Sequence, residues 1–174
     1  MFYAGVGSRY TPKEILTQIA DLSFDLGERG CILRSGGAKG ADTAFQFGAD
    51  ESASEPCEIF RWKDGLRQPR AKAMAQEVIN NLNSENGEKV PPLSKMQERI
   101  AGLLARNMMI VMGEDVDDPV SFLVCWTPEG NMIGGTRYAI KLAEMLSIPV
   151  FNYGNMNDIE IRTAIRERFL VDVW

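Results

Sequence analysis

A chain of 174 residues, 45% hydrophobic and 25% charged, has the size and balance of one globular domain and needs no disulfide or metal to hold its core. It contains no histidine, which removes the commonest general base and every Ser-His-Asp or Cys-His arrangement. Its net charge of −5 argues against holding nucleic acid chiefly through phosphate contacts, which require a basic footprint.

Residues Phe2 to Val6 read as a first buried strand. Thr11-Pro12-Lys13-Glu14 then supplies an N-cap, a proline at the first helical position and a glutamate at the capping-box position. Ile15, Ile19, Leu22 and Leu26 follow at helical spacing, up to Gly27 or Gly30. Cys31-Ile32-Leu33 is a short second strand, and a helix is predicted from Ala41 towards Ala49. Cys57 to Trp62 reads as a third strand, and Lys63 to Pro92 as polar and irregular, with helix near Ala71 to Asn80 and a surface loop from Asn80 to Lys89. Ser94 with Gln97 makes a second capping box before a long helix carrying Ile100, Leu103, Leu104, Met108 and Val111. Val120 to Trp126 is the strongest strand pattern, apolar almost throughout as a central parallel strand should be. A helix from Gly134-Gly135-Thr136 to about Leu146, a strand from Ile148 to Asn152 and a helix from Asp158 to Arg168 complete the series. This alternation predicts an α/β fold, a Rossmann-like three-layer sandwich on a mainly parallel sheet, with residues 1–174 as a single domain.

Three glycine-bearing loops each follow a predicted strand and precede a helix. They are Gly5-Val6-Gly7-Ser8-Arg9, Ser35-Gly36-Gly37-Ala38-Lys39-Gly40 with Asp42, and Gly134-Gly135-Thr136. A parallel sheet brings such loops to its carboxyl edge, where open α/β folds bind ligands. Glycines let backbone N–H groups approach a phosphate, and a helix N-terminus adds partial positive charge. Ser8, Ser35 and Thr136 offer hydroxyls to the same anion, and Arg9 a bidentate clamp. The second loop lacks the G-K-[ST] ending of a Walker A loop and the G-x-G-x-x-G fingerprint of dinucleotide sites.

Several residues carry two readings. Asp42 either polarises a ribose hydroxyl or a bound water, or complements a helix dipole. Arg106 and Asn107 either touch a ligand or cap their helix, and Trp62 either stacks on a base or packs. Lys63, Arg67 and Arg70 either face a phosphate or are plain surface. Asp115, Asp117 and Asp118 beside Pro119 read as a solvated turn rather than a metal site.

The motifs GSR near the start, SGGAKGAD after the second strand and GGT after the strand ending CWTP resemble the SLOG superfamily. That Rossmann-like group includes the cytokinin-activating LOG enzymes, the DNA-processing protein A family and the YpsA-like proteins. The likeness runs from about Phe2 to Asn152 in the right order, includes Arg106-Asn107, and is strongest to small bacteriophage members. It implies a ligand-binding set of Gly7, Ser8, Arg9, Ser35, Gly36, Gly37, Gly40, Asp42, Arg106, Asn107, Thr127, Gly134, Gly135 and Thr136. LOG enzymes carry PGGxGTxxE, whose glutamate is catalytic. Setting that Gly-Thr on Gly135-Thr136 puts Ala139 where the glutamate belongs, and Asn131, Met132 and Ile133 do not match PGG. No catalytic residue is therefore assigned, with Asp42 and Glu129 as candidates.

The expectation is a protein that binds a nucleotide or nucleotide-derived phosphate ligand as sensor, carrier or sequestering protein. The alternatives are an N-glycosidic-bond hydrolase or transferase acting on nucleoside monophosphates and, more weakly, a single-stranded DNA binder. No cofactor or metal is expected, and Cys31, Cys57 and Cys125 read as reduced thiols. The N-terminus shows no signal peptide and no run approaches a membrane span, which predicts a cytoplasmic protein. Met96, Met109 and Met112 lie outside the main stripe of the long helix, and with the LOG likeness they suggest a homodimer.

Overall fold

Short apolar runs separated by helical patterns leave a chain one economical way to bury its strands, which is to cover a parallel sheet on both faces. The computed structural model describes residues 1–52 and 55–170. Its strands are β1 (Phe2–Gly7), β2 (Ile32–Ser35), β3 (Glu58–Ile59), β4 (Phe122–Trp126) and β5 (Val150–Asn152). They form one sheet in the order β3-β2-β1-β4-β5, every pair parallel. The helices are α1 (Lys13–Glu28), α2 (Ala41–Glu51), α3 (Trp62–Arg67), α4 (Pro69–Glu85), α5 (Glu98–Met112), α6 (Thr136–Met145) and α7 (Asp158–Phe169). No helix among the described residues is long and apolar enough to cross a membrane.

Side chains alternate across the central strands and so feed two separate cores. Tyr3, Leu33, Phe122, Val124 and Phe151 pack with α1, α2 and α7, whereas Ala4, Val6, Leu123 and Cys125 pack with α4, α5 and α6. This is the three-layer α/β arrangement that the alternation of patterns predicts. From β1 the chain winds outward through β2 to β3, then crosses back and winds the other way through β4 to β5. The reversal makes the gap between the carboxyl ends of β1 and β4 a topological switch point.

The structure corrects the sequence reading in four places. The stretch from Lys63 to Pro92, read as irregular apart from helix near Ala71 to Asn80, holds nearly all of α3 and the whole of α4, so the third strand stops at Ile59 and Asn80 to Glu85 is helix rather than loop. Ala71, Ala75, Val78, Ile79 and Leu82 are buried against α5, and this packing outweighs the poor intrinsic propensity of the Asn-rich turn. The second capping box does not form: Leu93–Lys95 is a single 3-10 turn and α5 begins at Glu98 with no side-chain cap. The first does not form either, because the Thr11 hydroxyl donates to the Ser8 carbonyl while Pro12 stands at the N-cap. Finally, Met109 and Met112 are buried in this chain's own core and Met96 packs against it. From Ala101 to Met112 α5 is largely buried beneath the sheet, α3, α4 and α6, while Glu98, Arg99 and Ile100 are exposed, so Met109 and Met112 offer no surface for a subunit contact.

Arg34 on β2 binds three segments together. Its guanidinium donates to Glu58 at 2.6 Å, and to the carboxylate (2.7 Å) and carbonyl of Asp118, while lying 3.7 Å from the centre of the Phe2 ring. The aspartate turn after α5 is therefore anchored rather than wholly solvated. Arg34→Gln is expected to lower the unfolding free energy by about 2 kcal/mol, the scale of lost charge-assisted hydrogen bonds. Urea denaturation checks it, and a change within experimental error would show that the exposed carboxylates simply rehydrate.

Candidate functional site

The loop after β1 is built as a rigid turn. Ser8 accepts through its carbonyl from the Thr11 hydroxyl at 2.7 Å and the Thr11 amide at 3.3 Å, and its own hydroxyl accepts from the Tyr10 amide at 3.1 Å. The loop after β2 lies directly on it at Gly40. With φ at +91°, a side chain there would also stand 2.5 Å from the Ser8 carbonyl oxygen and 2.7 Å from the Arg9 Cα. Only glycine allows both the backbone angle and the approach.

Asp42, in the first turn of α2, ties the two loops from inside. It is 2% exposed and accepts from the Gly7 amide and the Ala38 amide, each at 3.2 Å. Burial pushes its carboxyl above the usual carboxylate range, opposed by the Arg106 guanidinium and by the amides of Ala38, Gly7 and Gly36. Arg106 reaches in from α5, its Nη1 3.7 Å from the Asp42 carboxylate. A Cβ on Gly36 would overlap that guanidinium, so the glycine of the second loop is what admits Arg106. Burial lowers the arginine's own pKa as well, with Asp42 countering.

The third loop joins through Asn107. The Arg106 Nη1 donates to the Asn107 side-chain carbonyl at 3.0 Å, and the Asn107 amide group donates to the Gly135 carbonyl at 3.0 Å. All three glycine loops thus meet at the carboxyl edge of the sheet, stitched by Asp42, Arg106 and Asn107. Beyond Gly135 the N-terminus of α6 has no side-chain cap and no acidic residue in its first turn, and the space around Gly134 and Gly135 is open. Thr136 is half-buried and Arg9 is exposed at the rim. Glu129 is exposed in a short turn, Pro128–Gly130, with its backbone in the left-handed region at φ 54°.

Other expected residues stand elsewhere. The Ser35 hydroxyl is fully buried and donates to the Gly5 carbonyl at 2.7 Å, so it fastens β2 to β1 instead of facing the cleft. Thr127 is buried, its amide donating to the Asn152 side chain at 3.1 Å and its hydroxyl accepting from it at 2.7 Å. Gly37 accepts at its carbonyl from Arg61. Trp62 opens α3 against Gly102, and Arg70 engages Asp117 and the Asp115 carbonyl, outside the loops. Ala139 is wholly buried under α6, so the position aligned with the LOG glutamate faces core rather than cleft. Asn152 and Arg61 are additions that sequence reasoning did not single out. A polar residue ending an apolar strand, as Asn152 does, was the available signal.

Thiol chemistry is not offered here. Cys31 and Cys125 are buried, and burial with Asp50 nearby pushes the Cys57 thiol up to about 12. Among the described residues no group of three or more acidic or cysteine side chains is arranged to hold a metal. A separate concavity of about 570 Å³ between β3, α3 and the end of α5, lined in part by Phe60, Arg67, Met109 and Glu114, shares no residue with the stitched loops. No family model, curated protein or solved structure matches the chain.

Proposed function

We propose that this chain binds a nucleotide or nucleotide-derived phosphate ligand in the cleft between the β1 and β4 loops, as a sensor, carrier or sequestering protein. One observation carries the reading. The Arg106 side chain is nine-tenths buried at the switch point, yet its Nε has no partner and its nearest carboxylate stands off at 3.7 Å. A guanidinium nine-tenths buried with its Nε unpaired, next to the Asn107 that binds the Gly135 carbonyl at the start of α6, is suited to a polar, anionic guest.

Asp42 refines where the charge goes. Its carboxylate already occupies the amides of Gly7 and Ala38, so the first two loops present an acceptor rather than an anion cradle. On this reading the phosphate is taken by the uncapped end of α6, Gly134 to Thr136, with Arg9 at the rim, and Asp42 holds the first two loops together beneath the ligand. The likeness of GSR, SGGAKGAD and GGT to SLOG proteins supports the same reading. The enzymatic alternative has less support, since Ala139 is core and, of the two candidate acids, Asp42 is buried and engaged while Glu129 is exposed in a turn outside the stitched loops. Slow or absent release of free base from nucleoside monophosphates is the corresponding expectation. A turnover near 1 s⁻¹, within the ordinary enzyme range, would reverse the order of the two readings.

A thermal-shift screen with nucleotides, cyclic dinucleotides and ADP-ribose species tests the proposal. A ligand at 100 times its Kd should raise stability by about 2.7 kcal/mol. Arg9→Ala should then weaken that ligand by about 1.5–3 kcal/mol in calorimetry without altering the fold, because Arg9 is exposed. No shift with any of these compounds would overturn the reading.

A further inference from the structure

We infer that Tyr10 is a stacking platform for the planar ring of the ligand, which makes the ligand class a base-bearing nucleotide rather than a sugar phosphate. The inference rests on the cleft taking a phosphate ligand, as proposed above.

Tyr3, Tyr138 and Tyr153 are all buried, whereas the ring of Tyr10 is 80% exposed, more than any other large hydrophobic side chain described. Loose backbone does not account for this. Three hydrogen bonds close the Ser8–Thr11 turn that carries it, two onto the Ser8 carbonyl and one from the Tyr10 amide to the Ser8 hydroxyl. The turn is held further by Gly40, which packs against the backbone of Ser8 and Arg9. A rigid turn at the carboxyl edge of β1 therefore displays an aromatic face to solvent, on the same edge of the sheet as the exposed Arg9 and the uncapped start of α6. Such a ring gains by covering itself with another flat surface.

The neighbouring residue narrows the guest. The Arg9 guanidinium lies 6.0 Å from the centre of the Tyr10 ring, so one short turn presents a cation and an aromatic face together. A phosphate uses the first and a nucleobase the second. A ribose phosphate would leave the ring uncovered.

The experiment compares the four nucleoside 5′-monophosphates and ADP-ribose with ribose 5-phosphate by calorimetry, in the unaltered protein, Tyr10→Ala and Tyr10→Trp. The expected result is tighter binding of at least one base-bearing ligand than of ribose 5-phosphate. Tyr10→Ala should weaken that ligand roughly 10-fold, the scale of one base–aromatic stack, and leave ribose 5-phosphate unchanged. Tyr10→Trp should keep the affinity and add an indole fluorescence signal quenched by that ligand. Equal binding of ribose 5-phosphate and the nucleotides, or equal weakening of both in Tyr10→Ala, would overturn the role of Tyr10 while leaving a phosphate site. Binding of none of these probes by the unaltered protein would overturn both. Tyr10 makes no core contact, so a folding defect in the alanine variant is not expected, and circular dichroism verifies that.

Discussion

Arg106→Met is expected to destabilise the protein by about 3 kcal/mol at pH 8, and by clearly less at pH 5. The substitution keeps the length of the side chain but removes the charge facing Asp42, leaving a buried carboxylate whose remaining partners are backbone amides. Burial already raises the Asp42 pKa and Arg106 opposes that rise. Without the guanidinium the folded-state value climbs further above the unfolded one. The native state then retains a proton that the unfolded state has released. Stability therefore falls as pH rises from the ordinary carboxylate range through the folded pKa, and is level beyond it. Adding Asp42→Asn should restore most of the loss at pH 8, since replacing both partners removes the uncompensated charge. Urea denaturation of the two variants at both pH values provides the comparison. An equal loss at pH 5 and pH 8, with no rescue in the double variant, would show that Arg106 acts by packing alone.

The second large effect is expected where α3 crosses α5. A Cβ on Gly65 would overlap the Gly102 carbonyl oxygen and the Arg106 amide nitrogen, and one on Gly102 would overlap the Trp62 carbonyl oxygen. These are backbone atoms, which cannot move aside as a flexible side chain can. Gly65→Ala and Gly102→Ala should each cost about 3 kcal/mol, at the upper end for overpacking, because α3 must lift from α5 as a body. Arg106 stands one turn beyond Gly102 on the same helix, so the displacement should also weaken any ligand held at the cleft. Denaturation together with calorimetry would show both losses. A stable Gly102→Ala variant would mean that α3 docks more loosely than this contact implies.

The parts of the fold legible in the sequence were those with a strong local signal. β1 and β2 run directly into glycine, β4 is apolar almost throughout, and the loops they enter do meet at one edge. α4 was legible from Ala71 to Asn80, but its last turn is rich in Asn, Ser and Glu and reads as loop, although Leu82 is buried there. The capping signals at Thr11 and Ser94 were spent otherwise: the Thr11 hydroxyl goes to the Ser8 carbonyl, and Ser94 lies inside the 3-10 turn that follows Pro92. In the cleft, residue types were readable but their partners were not. Ser35 and Thr127 belong to the right loops, yet their hydroxyls are engaged within the protein. No spacing rule predicts that Asp42 turns back onto the amides of its own loops, because that depends on how closely Gly40 lets those loops approach.

The strand order bears on how the chain is made. β1 leaves the ribosome first and pairs early with β2, but its other edge belongs to β4, so that Tyr3 waits for Phe122. At ordinary translation rates that interval is on the order of ten seconds. Throughout it, the strand destined for the middle of the sheet is an unprotected edge bearing apolar side chains, the kind of surface on which nascent chains pair wrongly. The helices α3, α4 and α5 emerge in the same interval, and the core that α4 and α5 share with Leu123 and Cys125 cannot close until β4 arrives. Fragments ending before Phe122 are therefore expected to aggregate rather than persist as smaller folded units, and folding of the whole chain should be limited by this one late, long-range pairing.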